Sequence, residues 1–302
     1  MSDTFNGLVS PLPHLGLIYV SGKDSLTFLQ GQTTIDVSHL ATTDLAPGAI
    51  CNPKGRVIAS FMATAWEDGV ILVLSADLVA VTLAHLKKYA AFFKTDLSDA
   101  TKRWHVLGID HPITGFEAIL ATPRWDKDRH LTFIDPLAWD YEQCLEACLS
   151  ARKPVDENTW KSLDIQRGLA WIDLQSTGEH TPHHLNLQWN QGINFKKGCY
   201  TGQEVVSRMQ FKAKLKSFAY ALHAPVALVP MQSVYNREGK AVGTVVNAAL
   251  DWALAVVQIK WIADGLYADD AGKTALTLVP LPYQDAIQAT LDKQSAVGDT
   301  NG

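Results

Sequence analysis

What most constrains this chain is a change of texture at Lys216. Beyond it, residues 217–223, 233–236, 241–247, 253–261 and 274–279 are short apolar runs parted by turns containing Gly, Asp or Pro, with no helix-forming segment among them. Runs so short bury their apolar faces only by closing into a barrel or packing on a second sheet. Residues 216–302 are therefore expected to form a separate antiparallel β-barrel, with a disordered polar tail from about Asp292.

Before Lys216 strands and helices mix. Residues 15–20 (LGLIYV) read as a strand stopped by Gly22, and 24–30 as a short helix. Asn52-Pro53-Lys54-Gly55 between two apolar stretches predicts a hairpin with its second strand over 56–66, and 69–74 pairs next after a Glu67-Asp68 turn. Asp77 stands where it could cap a helix running to about Phe93. Residues 104–109 and 131–134 look like strands, 115–120 is ambiguous, and 141–149 and 157–168 have helical spacing, the second stopped by Gly168. The fold class expected is α+β followed by β.

With 302 residues, 47% of them hydrophobic, the chain can bury a large core. Lys plus Arg total 26 and Asp plus Glu 31, a net charge of −5. That balance excludes a global basic field and argues against direct nucleic-acid binding, so any polyanion site must be local. No Lys or Arg precedes Lys23, Pro11 and Pro13 interrupt the start, and runs such as 69–74 and 253–259 are too short to cross a bilayer. The expectation is a soluble, cytoplasmic monomer. Cys51, Cys144, Cys148 and Cys199 make no CxxC pair and no Cys/His arrangement of zinc spacing, so no metal site is expected and a reducing compartment fits.

Phe195-Lys196-Lys197-Gly198-Cys199-Tyr200-Thr201-Gly202-Gln203-Glu204 is the most informative stretch. Thr201 and Glu204 have capping-box spacing, which predicts a helix from Thr201 with Cys199 two residues ahead of its cap. Helix-start amides and the two lysines would favour the thiolate of Cys199, and Gly198 and Gly202 would let backbone approach a ligand. A Gly-Cys-Tyr turn can equally be packing alone, since many single cysteines are buried and inert. Cys144 and Cys148 lie four apart on one helix face with no third ligand nearby, so core packing is the plainer reading. His183-His184, about fifteen residues before the cysteine loop, suggests a Cys–His nucleophile pair, but spacing alone does not supply the geometry such a pair needs, and the reading is discounted.

KGCYTGQE, residues 197–204, resembles the signature of the YgfZ family, folate-binding relatives of the glycine-cleavage T-protein, an aminomethyltransferase. Residues 28–37 (FLQGQTTIDV) resemble the family's N-terminal segment, Cys51 to Gly55 its following hairpin, and Pro182 with Asn186, Leu187 and Gln188 the stretch before the cysteine loop. Pro280-Leu281-Pro282-Tyr283 resembles its C-terminus, so the resemblance spans nearly the whole chain.

That resemblance implies a T-protein-like multi-domain fold: a folate-binding region over 1–215, with intertwined subdomains of about 1–50 plus 150–215 and 51–149, then the barrel. It implies tetrahydrofolate as cofactor, and iron–sulfur client proteins, radical tRNA-modifying enzymes among them, as partners. Cys199 and Lys197 become the functional pair, in a loop with Gly198, Tyr200, Gly202, Gln203 and Glu204. Trp160 matches a tryptophan of the family's folate pocket, and Leu15 falls where the family places its other pocket aromatic. Asn186 and Arg208 are the further folate contacts implied.

The aminomethyltransferases carry an acidic pair after the hairpin glycine; here that stretch reads Gly55-Arg56-Val57-Ile58-Ala59-Ser60. Without a carboxylate, glycine-cleavage activity is not expected. Two other readings stay open: a folate-dependent one-carbon transferase with Cys199 as nucleophile, and a tRNA-binding module. The second draws on Lys196, Lys197, Arg208, Lys212, Lys214 and Lys216, opposed only by Glu204, which suit a folate polyglutamate tail or a tRNA backbone. The bland reading of such a run is a solvated face.

Overall fold

The computed structural model describes residues 7–41, 45–110, 124–126, 129–134, 145–146, 148–149 and 152–299. Residues 115–120, Cys144 and most of the helical reading over 141–149 lie outside them.

Strand β2 (Leu15–Ser21) is buried along almost its whole length, and this explains its unbroken apolar run. Leu15, Leu17 and Tyr19 enter one core, while Ile18 and Val20 enter another on the opposite face. Around it, β3 (Ala46–Cys51), β4 (Val57–Trp66), β5 (Gly69–Ser75) and β6 (Asp96–Asp99) complete a sheet of order β3-β4-β5-β2-β6. A second sheet, order β10-β1-β7-β9-β8, is made of β1 (Leu8–Pro11), β7 (His105–Asp110), β8 (Arg124–Asp126), β9 (Arg129–Ile134) and β10 (Lys153–Pro154). Its Val106, Leu131 and Phe133 share a core with Leu15, Leu17, Ile71 and Val73 of the first sheet.

The chain begins in the second sheet at β1, builds all of the first from β2 to β6 and returns to the second from β7, so strand pairing crosses the subdomain limits expected from sequence. A cut at 50/51 would split β3, which is hydrogen-bonded to β4 from Ala46↔Ala63 to Cys51↔Val57. The sheets instead divide the region into β2 to β6 on one side and β1 with β7 to β10 on the other.

The described helices that accompany the sheets include α1 (Ser25–Gln30), α2 (Val79–Ala90), α3 (Glu157–Gln166), α4 (Gln203–Phe211) and α5 (Gln284–Asp299). Asp77 does not cap α2; its carboxylate accepts from Leu174 N at 2.9 Å, a partner 97 residues away. Nor does Thr201 cap α4. The N-cap is Gly202, and the Thr201 hydroxyl turns to Gln32 Oε1 at 3.3 Å.

The barrel closes as expected through β11 (Ser217–His223), β12 (Ser233–Tyr235), β13 (Ala241–Ala249), β14 (Trp252–Gln258), β15 (Leu266–Tyr267) and β16 (Ala275–Val279). Phe218, Tyr220 and Leu222 fill its interior, while Ala219 and Ala221 join the core of the first sheet. Two-residue alternation thus serves two cores, and the small alanines let barrel and sheet approach. Asn186 clips them together: its Nδ2 donates to Ala219 O at 2.8 Å and its Oδ1 accepts from Ala219 N at 3.3 Å. The expected disordered tail is instead α5, whose Ile287 and Leu291 lie one helical turn apart against the barrel core. A helix that looks too polar to stand alone persists because that stripe is covered.

Candidate functional site

Three stretches far apart in sequence meet at one end of the first sheet. Thr201 N donates to Gly31 O at 3.0 Å, Asn194 N to Thr34 O at 2.8 Å, and Thr34 Oγ1 to Gly192 O at 2.6 Å. These bonds splice the chain around the cysteine loop to the turn after α1. On the other flank Gly202 meets the hairpin of β3 and β4. Its φ is +86°, and a Cβ there would stand 2.6 Å from Asn52 O and 3.1 Å from Gly55 Cα. Only glycine fits both that backbone region and that approach.

Lys197 acts here as a clamp. Its Nζ donates to Thr33 O at 2.8 Å and to Ile35 O, and lies 5.3 Å from the Tyr200 ring centroid. Burial pulls its pKa down to about 8, with Asp36 opposing the shift, so the amine stays cationic at neutral pH. The sequence reading cast Lys197 as a free charge beside Cys199; the structure gives its hydrogen-bonding capacity to the α1 turn. Tyr200 is buried and desolvation pushes its hydroxyl pKa up. Cys199 itself is exposed, and Gly198 beside it faces open space. Gln203 Nε2 reaches Gly198 O at 3.5 Å, while Glu204 and Arg208 are exposed on α4. Cys51, by contrast, is buried at the end of β3 with its thiol pushed up to about 12 by desolvation, which keeps it protonated.

Behind this loop three histidines cluster, with the rings of His180 and His184 6.3 Å apart. His180 and His183 are buried and His184 is half-buried, and desolvation lowers all three to about 4. They are neutral at pH 7. His183 Nε2 lies 3.1 Å from Gln210 Oε1 of α4, so one neutral imidazole braces the helix that follows the cysteine loop. Among the described residues no group of three or more His, Cys, Asp or Glu side chains is arranged to hold a metal ion.

A cavity of about 350 Å³ opens nearby, lined by His14, Asp77, Lys161, Trp171, Asp173 and Asn247 among others. Leu15 pairs with Ser75, and β4 starts at the end where β5 stops, so cavity and cysteine loop share one end of the sheet. Between them runs the start of β4, with Ile172 N on Ser60 Oγ and Gly178 N on Val57 O; Val57 to Ser60 spans about 10 Å of extended chain. Cys199 is not among the cavity's lining residues.

Neither Leu15 nor Trp160 lines this cavity; both are buried together in the core behind it. Trp160 lies flat on β7, where a Cβ on Gly108 would come within 2.4 Å of its ring. Asn186 is committed to β11 and Arg208 to the surface of α4, so neither reaches the cavity. Sequence reasoning missed His14, Asp77, Lys161, Trp171, Asp173 and Asn247 as a group. The usable signal was adjacency: His14 and Lys161 directly follow or precede the two positions it named.

The lining suits a flat heteroaromatic with hydrogen-bonding edges. Trp171 contributes an indole to the wall, Asn247 Oδ1 is a buried acceptor without a hydrogen-bond partner, and His14 Nε2 likewise lacks one. His14 is lowered to about 4, first by burial and then by Lys161, so its neutral ring can donate from one nitrogen and accept at the other.

No family model matches the chain. In three dimensions it is similar to the glycine cleavage system aminomethyltransferase T from Bartonella henselae, with a TM-score of 0.74, 17% identity, and coverage of 92% of this chain and 86% of that one. Two sheets, a closing barrel and a cleft at the sheet end therefore define an aminomethyltransferase-type fold. In sequence it is 32% identical over 305 aligned positions to the tRNA-modifying protein YgfZ of Vibrio vulnificus strain CMCP6, covering 95% of this chain and 88% of that protein. It is also 31% identical to the protein of the same name from Klebsiella pneumoniae strain 342, covering 88% and 90%. The chain belongs to the YgfZ family.

Proposed function

We propose that this protein is a tetrahydrofolate-binding accessory factor of tRNA modification, which supports iron–sulfur client enzymes, radical tRNA-modifying enzymes among them, through Cys199. The observation that carries the reading is that Cys199 is open to solvent while the chain on both sides of it is pinned. A thiol that served a small substrate would sit inside a cleft with a base beside it. A thiol on a braced crest suits contact with another macromolecule, where a thiolate can ligate or shield iron.

His14, Lys161, Trp171 and Asn247 would hold the pterin and Asp77 or Asp173 its amino edge. Tetrahydrofolate bound there supplies a carrier of one-carbon units. Ala59 and Ser60 stand where the aminomethyltransferases have their acidic pair, and Ser60 Oγ accepts from Ile172 N, which makes it a structural anchor and not an acid. Membership of a family whose relatives are named tRNA-modifying proteins supports the tRNA side of the reading.

Calorimetric titration with tetrahydrofolate, paired with complementation of a deletion strain, tests both halves. Trp171→Ala should weaken tetrahydrofolate binding about tenfold, the upper range for loss of one aromatic contact. Cys199→Ala should bind tetrahydrofolate like wild type yet fail to restore cluster-dependent tRNA thiolation. Full restoration by Cys199→Ala would remove the thiol from the function.

A further inference from the structure

At the end of the β11–β14 pair where Ser217 faces Gln258 lies a second cavity, of about 500 Å³. Its floor is apolar, from Leu215, Ile259 and Leu291, and three lysines line it: Lys214, Lys216 and Lys260. They arrive from two segments, the strap between α4 and β11 and the turn after β14. Leu215 is buried while Lys214 and Lys216 are exposed, so this extended strap places two ammonium groups on one side, about 7 Å apart along the chain. Among the described residues no carboxylate lines the cavity. Asp292, which follows Leu291 on α5, accepts from Gln288 Nε2 at 2.8 Å.

An indole adjoins the lysines. Trp261 follows Lys260 on a short 3-10 turn (Ile259–Asp264) and is only partly buried. The Nζ atoms of Lys260 and Lys240 lie 4.9 and 5.6 Å from its ring centroid. Its Nε1 is buried without a hydrogen-bond partner. Repeated positive charge bordered by an aromatic face is the arrangement that holds a single nucleic-acid strand: ammonium groups track phosphates and the indole stacks a base.

We propose that this cavity binds the phosphodiester backbone of a single-stranded nucleic-acid segment, with Lys214, Lys216 and Lys260 on phosphates and Trp261 beneath a base. The site is independent of Cys199 and of the cavity at Trp171. The overall −5 excludes a global field, and these lysines supply a local one. A chain of glutamates would satisfy the lysines and leave the indole unused, so the aromatic is what favours nucleic acid.

Fluorescence anisotropy with labelled oligouridylate, oligothymidylate and polyglutamate, over a range of salt, reads the site in the full chain. Wild type should bind oligouridylate or oligothymidylate with a steep salt dependence, and the two probes tell RNA from DNA. Lys214→Glu, Lys216→Glu and Lys260→Glu together should lower the salt slope by roughly 2, three contacts at about 0.7 each. Trp261→Leu should weaken binding about tenfold with the salt slope unchanged. If the triple variant does not fold, the three single Lys→Gln variants carry the same comparison. The proposal is overturned if wild type binds neither oligonucleotide. It is overturned equally if polyglutamate binds as well as they do, or if Lys87→Glu with Lys88→Glu on α2 weakens binding as much as the triple variant.

Discussion

The cysteine loop and the cavity at Trp171 open at the same end of one sheet, yet they are held by opposite means. The loop is contiguous: residues 195–204 supply its chemistry, and bonds from Thr201 N and Lys197 Nζ to the carbonyls of Gly31, Thr33 and Ile35, with Asn194 N on Thr34 O, fix its path. The cavity has no contiguous core. His14, Asp77, Lys161, Trp171 and Asn247 come from five separate stretches and meet only because two sheets and a barrel pack. A reactive group that must meet a large partner can be built on one braced segment. A small flat ligand needs walls on several sides, and walls come from different elements.

The contrast can be broken experimentally, and Cys199 offers the largest effect. Cys199→Ala should abolish support of cluster-dependent tRNA thiolation in a complemented deletion strain. Because the residue is exposed, the melting temperature should barely move, the stability change staying within about 0.5 kcal/mol. A large loss of stability would show the thiol to be packing and would erase the distinction between crest and core.

Acid should act next most strongly, through the histidines behind the loop. His180 and His183 titrate at about 4 when folded against 6.5 unfolded, so below 6.5 the unfolded chain binds more protons. The two histidines' contribution to stability therefore levels off above about pH 6.5 and is lost as pH drops toward 4. At pH 5 each of the two costs about 2 kcal/mol, measurable as a lower urea midpoint. His183→Gln should remove part of that dependence, and an unchanged pH profile in the variant would place the acid sensitivity elsewhere.

Gly202→Ala forces a Cβ against Asn52 O and should cost about 1–3 kcal/mol, with loss of function although Cys199 is untouched. Lys197→Met leaves the carbonyls of Thr33 and Ile35 without their donor, a cost of about 1–3 kcal/mol, and should loosen the loop by hydrogen exchange. Neither change should alter tetrahydrofolate affinity, which would separate loop from cavity. The smallest effect belongs to Trp171→Phe, which keeps an aromatic ring and should weaken tetrahydrofolate binding by only about 0.5 kcal/mol, well short of the loss expected for Trp171→Ala.

Legibility followed the range of the interactions. The hairpin at Asn52 to Gly55 forms where it was read, because a turn of that composition carries its own geometry, with Gly55 at φ +68°. The stop of α3 before Gly168 was likewise local. Asp77 and Thr201 looked like caps and are not, since each found a partner across the fold: Leu174 N for one and Gln32 for the other. A side chain that can satisfy a nearby amide can equally satisfy a distant one, and packing decides which is within reach. The α5 helix was missed because its apolar stripe is thin and gains its burial only from the barrel.

The sequence alone determined the α+β body, the closing barrel and the cysteine loop, since turn residues, strand alternation and a contiguous motif act over a few residues. Tertiary structure decided that Lys197 clamps a neighbouring turn and that Leu15 and Trp160 stand behind a cavity they do not line. It also gathered lysines from two segments beside an indole. Those outcomes depend on which surfaces are driven together to leave water, and burial is a property of the whole chain.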